Sequence, residues 1–193
     1  MKQLLFFLLL CFSFSMLNAQ PRIKMETEAG ILVAELYPEK APITCRNFMN
    51  YIEHKKFKGA TFYRTVCMDN QSNYNVKIEV IQGGLGFDRE TFPFPPIQHE
   101  TTKETGIKHT NGTLSMARSK PGTATSEFFI CIGDQPELDY GGKRNPDGQG
   151  FAAFGKIIEG MDVVKTIQQM PENKQMLTDP VKIYSIKVMD PLE

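Results

Sequence analysis

The chain has 193 residues, 41% of them hydrophobic and 23% charged, with 22 basic residues balancing 22 acidic ones. These proportions suit one globular domain with one sizeable core. The balanced charge implies neither nucleic acid nor an anionic membrane as a partner.

The first nineteen residues stand apart from the rest. Lys2 supplies a positive start, Leu4 to Leu17 form an apolar run, and Asn18-Ala19 before Gln20 make a plausible cleavage point. The run is short for a membrane span, and Cys11 lacks the small residues that precede a lipidated cysteine. The expectation is a signal peptide over residues 1–19, cleaved near Ala19-Gln20, with an uncleaved anchor as the alternative. The mature chain, residues 20–193, is then exported, periplasmic and not membrane-embedded. Its cysteines, Cys45, Cys67 and Cys131, are widely spaced and odd in number, which excludes a dense disulfide framework and any CxxC metal or redox motif. They read as small core residues, with one bridge left open.

Ile23, Met25 and Thr27 alternate with charged residues, a strand with one buried face. Ala29-Gly30 turns the chain into a second strand, Ile31 to Leu36, so the two pair as a hairpin. Pro42 opens a helix to about His54, with Cys45, Phe48, Met49 and Ile52 on one face. Two β-rich runs follow, Thr61 to Val66 and Lys77 to Gly84, joined by a polar loop, Met68 to Val76, that is expected to be exposed. Leu85 to Asn111 reads as a long ordered loop, of the kind a compact domain keeps for function. Thr113 to Ala117, Glu127 to Ile132 and Phe151 to Ile158 read as strands. Gly133 to Gly150 reads as a loop, and Gly160 to Met170 as a second helix. In the last strand Val181 and Ile183 share one parity and Tyr184, Ile186 and Val188 the other, which predicts a β-bulge near Ile183. About eight short strands and two helices, joined mostly by hairpins and long loops, point to a mainly β protein: a closed antiparallel barrel covered by the helices.

Within this plan Arg64 lies between Phe62 and Val66, and Gln82 follows Val80-Ile81. A guanidinium among buried-type residues is costly unless it is paired or used. Glu127 is a candidate structural partner for it.

The ordered motifs resemble the cyclophilin family of peptidyl-prolyl cis-trans isomerases. They are Ala41-Pro42 leading to Asn47-Phe48, Phe62-Tyr63-Arg64, Ile81-Gln82-Gly83-Gly84, Leu114-Ser115-Met116-Ala117, Ser126-Glu127-Phe128-Phe129-Ile130, and Phe154-Gly155-Lys156 with Gly160-Met161-Asp162-Val163-Val164. They follow the family's order from about Ile23 to Met189. The resemblance implies an eight-stranded cyclophilin-like barrel with two capping helices. It implies a monomer that acts on proline-containing peptides and unfolded exported proteins, and no cofactor or metal. By the same resemblance Arg64 is the catalytic hydrogen-bond donor and Gln82 orients it and binds substrate backbone. Phe129 floors the proline pocket, with Val80, Leu138 and Phe151 as walls. Ala117 and Arg118 meet the residue before proline, and Glu127 belongs to the substrate-binding set.

The chain also departs from the family's usual pattern. Glu79 stands where eukaryotic members usually have Phe, so one pocket wall becomes acidic or turns elsewhere. Glu137 stands where they have Trp, and the chain has no Trp at all. Phe151 aligns with the usual pocket His, Glu127 replaces a Gln, and an insertion lies around Tyr140 to Gly150. These changes bear on substrate preference, and they leave a low-turnover peptide-binding module or chaperone of the same fold as the alternative function. His54, His99 and His109 lack metal-ligand spacing and read as surface or loop residues. Ser115 and Ser126 lack a plausible paired base, which argues against a hydrolase.

Overall fold

The computed structural model describes residues 20–86 and 91–189. The expected signal segment, 1–19, lies outside them. No described helix is long and apolar enough to cross a membrane.

The elements, in chain order, are β1 (Arg22–Thr27), β2 (Gly30–Leu36), α1 (Pro42–Glu53), β3 (Thr61–Val66), β4 (Val80–Gly84), α2 (Thr102–Thr105) and β5 (Thr113–Met116). They continue with β6 (Phe128–Cys131), a 3₁₀ turn (Pro136–Leu138), β7 (Ala152–Glu159), α3 (Met161–Gln168), β8 (Glu172–Asn173) and β9 (Met176–Val188). The sheet order is β1-β2-β7-β5-β6-β4-β3-β9-β8, and pairing of β1 with β9 closes eight strands into a barrel, leaving β8 outside. All pairings are antiparallel. The expected barrel is therefore present, with one extra short strand.

Strand periodicity sorts the side chains into two apolar sets. Phe62, Ile81, Phe128 and Ile130 belong to the main core, where they meet Phe48 and Tyr51 of α1 and Val164 and Ile167 of α3. Val66, Val80, Phe129 and Cys131 form a second cluster with Ile78 and Leu138, against which Ala117 and Phe151 pack. The second cluster lies on the opposite face of β4 and β6, and the site is built there. Each large apolar side chain fully buried this way contributes about 1.5–3 kcal/mol.

Phe62 and Val66 share a parity, so an unbroken strand would send both to the same face. A β-bulge prevents this: Phe62 pairs with Gly83 and Arg64 with Gln82, leaving Tyr63 as the extra residue. Phe62 thus enters the main core while Val66 joins the second cluster. Arg64 is re-aimed by the bulge rather than flanked by two core neighbours on one face. The bulge expected in β9 is also present, since Glu26 pairs with Ser185 and Thr27 with Ile183, leaving Tyr184 unpaired and 64% exposed.

Three local features depart from expectation. The strand expected from Lys77 begins only at Val80, because Gln71 occupies the backbone before it. Gln71 Nε2 donates to the Ile78 carbonyl at 2.7 Å and the Ile78 N–H donates to Gln71 Oε1 at 3.1 Å. Gln71 is completely buried, although its loop reads as exposed. The long segment before β5 contains α2, closed by a capping box between Thr101 and Glu104. Its neighbour Glu100 caps α1 from a distance, accepting from the Ile43 and Thr44 backbone N–H groups and the Thr44 hydroxyl. That carboxylate supplies what α1 lacks locally, since its N-cap is Ala41 and its first turn has no acid.

Candidate active site

The outer face of β3, β4 and β6 forms one wall of a cavity of about 390 Å³. Arg64, Gln82, Phe129, Val80, Ala117, Arg118, Glu127, Leu138 and Phe151 all line it, so the nine residues that the resemblance assigns to catalysis and substrate binding share one cavity.

Its polar half is a directed chain of hydrogen bonds. Arg64 Nη1 donates to Gln82 Oε1 at 2.9 Å, Gln82 Nε2 donates to Tyr63 Oη at 3.0 Å, and the Tyr63 hydroxyl donates to Glu127 Oε2 at 2.5 Å. Burial and the Glu127 charge push the Tyr63 phenol up, so it stays protonated and donates. The Glu127 carboxylate also accepts from the Leu85 and Gly86 N–H groups and the Ser126 hydroxyl. It reaches that backbone because residue 84 is glycine: a Cβ there would lie 2.6 Å from Glu127 Oε1. Glu127 is therefore not the partner of Arg64. It stands two side chains away, at the acceptor end of the relay, and its acceptor sites are engaged by the protein.

Gln175, in the turn between β8 and β9, supplies the other support. Its Oε1 accepts from Arg64 Nε at 3.1 Å and from Nη2 at 2.5 Å. Three of the five guanidinium N–H groups are thus committed to neutral amides, and the other two have no hydrogen-bond partner among the described residues. Burial lowers the Arg64 pKa, but from so high a value that it stays charged. Sequence reading missed Gln175 because its turn lacks the usual signature: Lys174 and Gln175 both have positive φ, 52° and 71°, where Asn-Gly would be expected.

The apolar half centres on Phe129. Phe151 meets it edge-on with centroids 5.2 Å apart, and His109 stacks behind it at 5.9 Å and 16°. His109 lies in the loop between α2 and β5, as expected, but it is not at the surface: its side chain is 1% exposed. Its Nδ1 lies 2.8 Å from Asp139 Oδ1 and its Nε2 3.0 Å from Ser115 Oγ. Ser115 therefore does have a paired base. The resulting Ser–His–Asp arrangement is sealed behind the pocket floor, with Ser115 wholly buried and the His109 ring stacked on Phe129.

Arg118 lines the cavity, but its guanidinium is committed elsewhere. It forms a bidentate pair with Asp147 at 2.8 and 2.9 Å, and Nε donates to the Gly150 carbonyl at 2.9 Å. The side chain pins the inserted loop. Glu79 turns away from the site: its carboxylate accepts from Gln168 Nε2 at 3.3 Å and lines a separate hollow beside Cys67 and Glu172. The acidic-wall alternative is thereby overturned. Glu137 likewise folds back onto the insertion, accepting from the Lys143 N–H at 2.7 Å. Cys45, Cys67 and Cys131 are free thiols. No metal-binding group of His, Cys, Asp and Glu occurs among the described residues.

An orienting guanidinium held over an apolar pocket defines a protein that grips a small apolar side chain of a peptide and hydrogen-bonds its backbone. The chain belongs to the cyclophilin-type peptidyl-prolyl cis-trans isomerases, whose family model matches residues 22–188. It is 36% identical to a peptidyl-prolyl cis-trans isomerase of Acinetobacter baylyi, covering 88% of this chain and 86% of that one. A Streptomyces antibioticus peptidyl-prolyl cis-trans isomerase is 33% identical, covering 86% and 98%. The solved cyclophilin-type isomerase of Cryptosporidium parvum superposes with a TM-score of 0.70 at 25% identity, over 89% of this chain and 99% of that one. The same protein was also crystallised in the presence of the dipeptide Ala-Pro, with a TM-score of 0.69. The chain is accordingly a peptidyl-prolyl cis-trans isomerase.

Proposed function

We propose that this enzyme acts on X-Pro bonds of unfolded exported proteins, as a monomer, with Arg64 as the catalytic hydrogen-bond donor. The observation that carries the assignment is the pair of unclaimed Arg64 N–H groups beside the pocket floored by Phe129. An X-Pro bond crosses a barrier of roughly 18–20 kcal/mol because amide resonance must be lost. No bond is made or broken, so no nucleophile or general base is needed. What lowers the barrier is complementarity to the twisted amide. In this reading the proline ring rests on Phe129 between Val80, Leu138 and Phe151, and the residue before proline lies along Ala117-Arg118. Arg64, held by Gln82 and Gln175, donates to the prolyl nitrogen or the substrate carbonyl as conjugation is lost. Gln82 also binds substrate backbone, and Glu127 secures the relay behind it. The related Cryptosporidium parvum enzyme was crystallised in the presence of the dipeptide Ala-Pro, which supports proline-containing peptides as ligands.

Export is supported by Lys2, the apolar run from Leu4 to Leu17 and the Asn18-Ala19-Gln20 junction. Mass spectrometry of the mature N-terminus tests it, and a product beginning near Gln20 is expected. The catalytic assignment is tested by NMR exchange on an Ala-Pro peptide. Arg64→Ala is expected to lose about 10²–10³-fold in kcat/KM, and turnover that survives the substitution would remove Arg64 from the mechanism.

A further inference from the structure

The inserted loop carries a second guanidinium into the groove. Arg144 Nη1 donates to Gln71 Oε1 at 2.9 Å and to the Val76 carbonyl at 2.6 Å, and the guanidinium lies 4.0 Å from the Tyr74 ring centroid. These contacts join the inserted loop to the loop before β4, while the Arg118–Asp147 pair anchors it from the other side.

Strand register fixes where this happens. Gln82 pairs with Phe129, Gly83 with Phe128 and Val80 with Cys131, while the Ala117 N–H donates to the Glu127 carbonyl. Ala117 therefore marks one end of the groove. Arg144, tied to Val76 beyond Val80, marks the other, with Arg64 and Phe129 between them.

The charges do not balance. Among the described residues the ion pairs involve Arg22, Lys24, Lys108, His109 and Arg118, and neither Arg64 nor Arg144. The acid in the groove wall, Glu127, is engaged by Tyr63, Ser126 and two backbone N–H groups. Beside Arg144, Asn145 lines the same cavity, and its amide nitrogen is buried without a partner among the described residues. Burial lowers the proton affinity of Arg144, and the like charge of Arg64 adds to the effect. Two half-buried cations held on neutral partners are complementary to an incoming anion.

We infer that Arg144 is a specificity residue that reads an acidic side chain directly after the proline, so that X-Pro-Glu and X-Pro-Asp sequences are preferred. This rests on the proposed placement of the residue before proline at Ala117, which leaves the Arg144 end for the residue that follows. Arg144 Nε and Nη2 carry the donors not used by Gln71 and Val76.

The test is NMR exchange on Ala-Ala-Pro-Glu-Ala against Ala-Ala-Pro-Gln-Ala, with Ala-Glu-Pro-Ala-Ala as the positional control. The wild type is expected to favour Glu over Gln after proline by about five- to tenfold in kcat/KM, a ratio that falls with added salt. The ratio should fall to about one in Arg144→Gln and stay clearly above one in Arg144→Lys, which keeps the charge. A wild-type ratio near one, a ratio unchanged in Arg144→Gln, or a preference shown by the control peptide instead would each overturn the inference. Turnover of the Gln peptide reports on the isomerase reading separately. Should no peptide turn over, dissociation constants from the same titration supply the ratio and decide the matter.

Discussion

Gln175 Oε1 takes two hydrogen bonds from Arg64, one from Nε and one from Nη2, closing a fork on a single oxygen. Gln175 is itself held on several sides: its N–H donates to the Glu172 carboxylate, its carbonyl accepts from the Thr65 N–H, and its Nε2 donates to the Asn70 carbonyl. The arginine thus depends on a residue 111 positions away. Gln175→Ala should lower kcat/KM about tenfold by freeing the guanidinium to sample unproductive orientations. Because Gln175 has φ of 71°, Gln175→Gly should be more stable than the alanine variant by about 1 kcal/mol yet equally impaired. Thermal unfolding and NMR exchange on the pair separate positioning of Arg64 from general destabilisation.

Glu79 looked from its place in the motif like a changed pocket wall, but its side chain faces Gln168 while Ile78 and Val80 face the groove. Glu79→Gln should therefore leave relative kcat/KM values across a set of Ala-Xaa-Pro peptides within about twofold, since no substrate contact changes. A reordering of peptide preference would contradict the observed direction of this side chain.

These two residues show what could be read in the chain and what could not. The barrel and its hairpins follow from period-two patterning and local turn chemistry, which the sequence carries openly, whereas the convergence of Arg64, Gln82 and Phe129 was implied by the family resemblance alone. Glu79 was ambiguous because it stands just before β4, and where that strand begins and which way its flanking side chains face are settled by partners distant in sequence. Gln175 was hidden by a turn with two non-glycine residues at positive φ. His109 reads correctly as a loop residue, but its burial was hidden because its partners, Asp139 and Ser115, meet only once the barrel closes. The capping signature at Thr101-Thr102-Lys103-Glu104 was present and would have located α2.

The support behind Phe129 predicts a pH dependence. Burial of Asp139 by itself raises its pKa, but the hydrogen bonds from the His109 ring and backbone, together with the nearby Lys108 charge, outweigh it and hold the carboxyl below its ordinary value. A folded-state pKa that is depressed contributes stability present above the unfolded value, near 3.9, and lost as pH falls through the folded one. Asp139→Asn should therefore destabilise the protein by about 1–3 kcal/mol at neutral pH. The gap from wild type should narrow as pH drops below about 4. Urea titrations of both proteins across that range check the sign, and a gap that widened in acid would contradict it.

The rim of the groove bears on inhibitor binding. The family resemblance places Glu137 where a Trp would present an indole N–H, and here the Glu137 carboxylate is occupied by the Lys143 N–H. Arg144 and Tyr74 close the same end of the cavity with a cation stacked on a ring. A cyclic apolar inhibitor such as cyclosporin A would lose a buried donor, a loss of about 1–3 kcal/mol for the acceptor left without a partner. It would also have to desolvate a guanidinium that it cannot pair. Inhibition of this enzyme by cyclosporin A is therefore expected to be weak, with a constant above about 1 μM. Glu137→Trp should restore only part of the affinity, because Arg144 remains, while Glu137→Trp combined with Arg144→Ala should bind more tightly than either single variant. Competition measured in the exchange assay distinguishes these outcomes, and nanomolar inhibition of the wild type would show that neither Glu137 nor Arg144 obstructs the ligand.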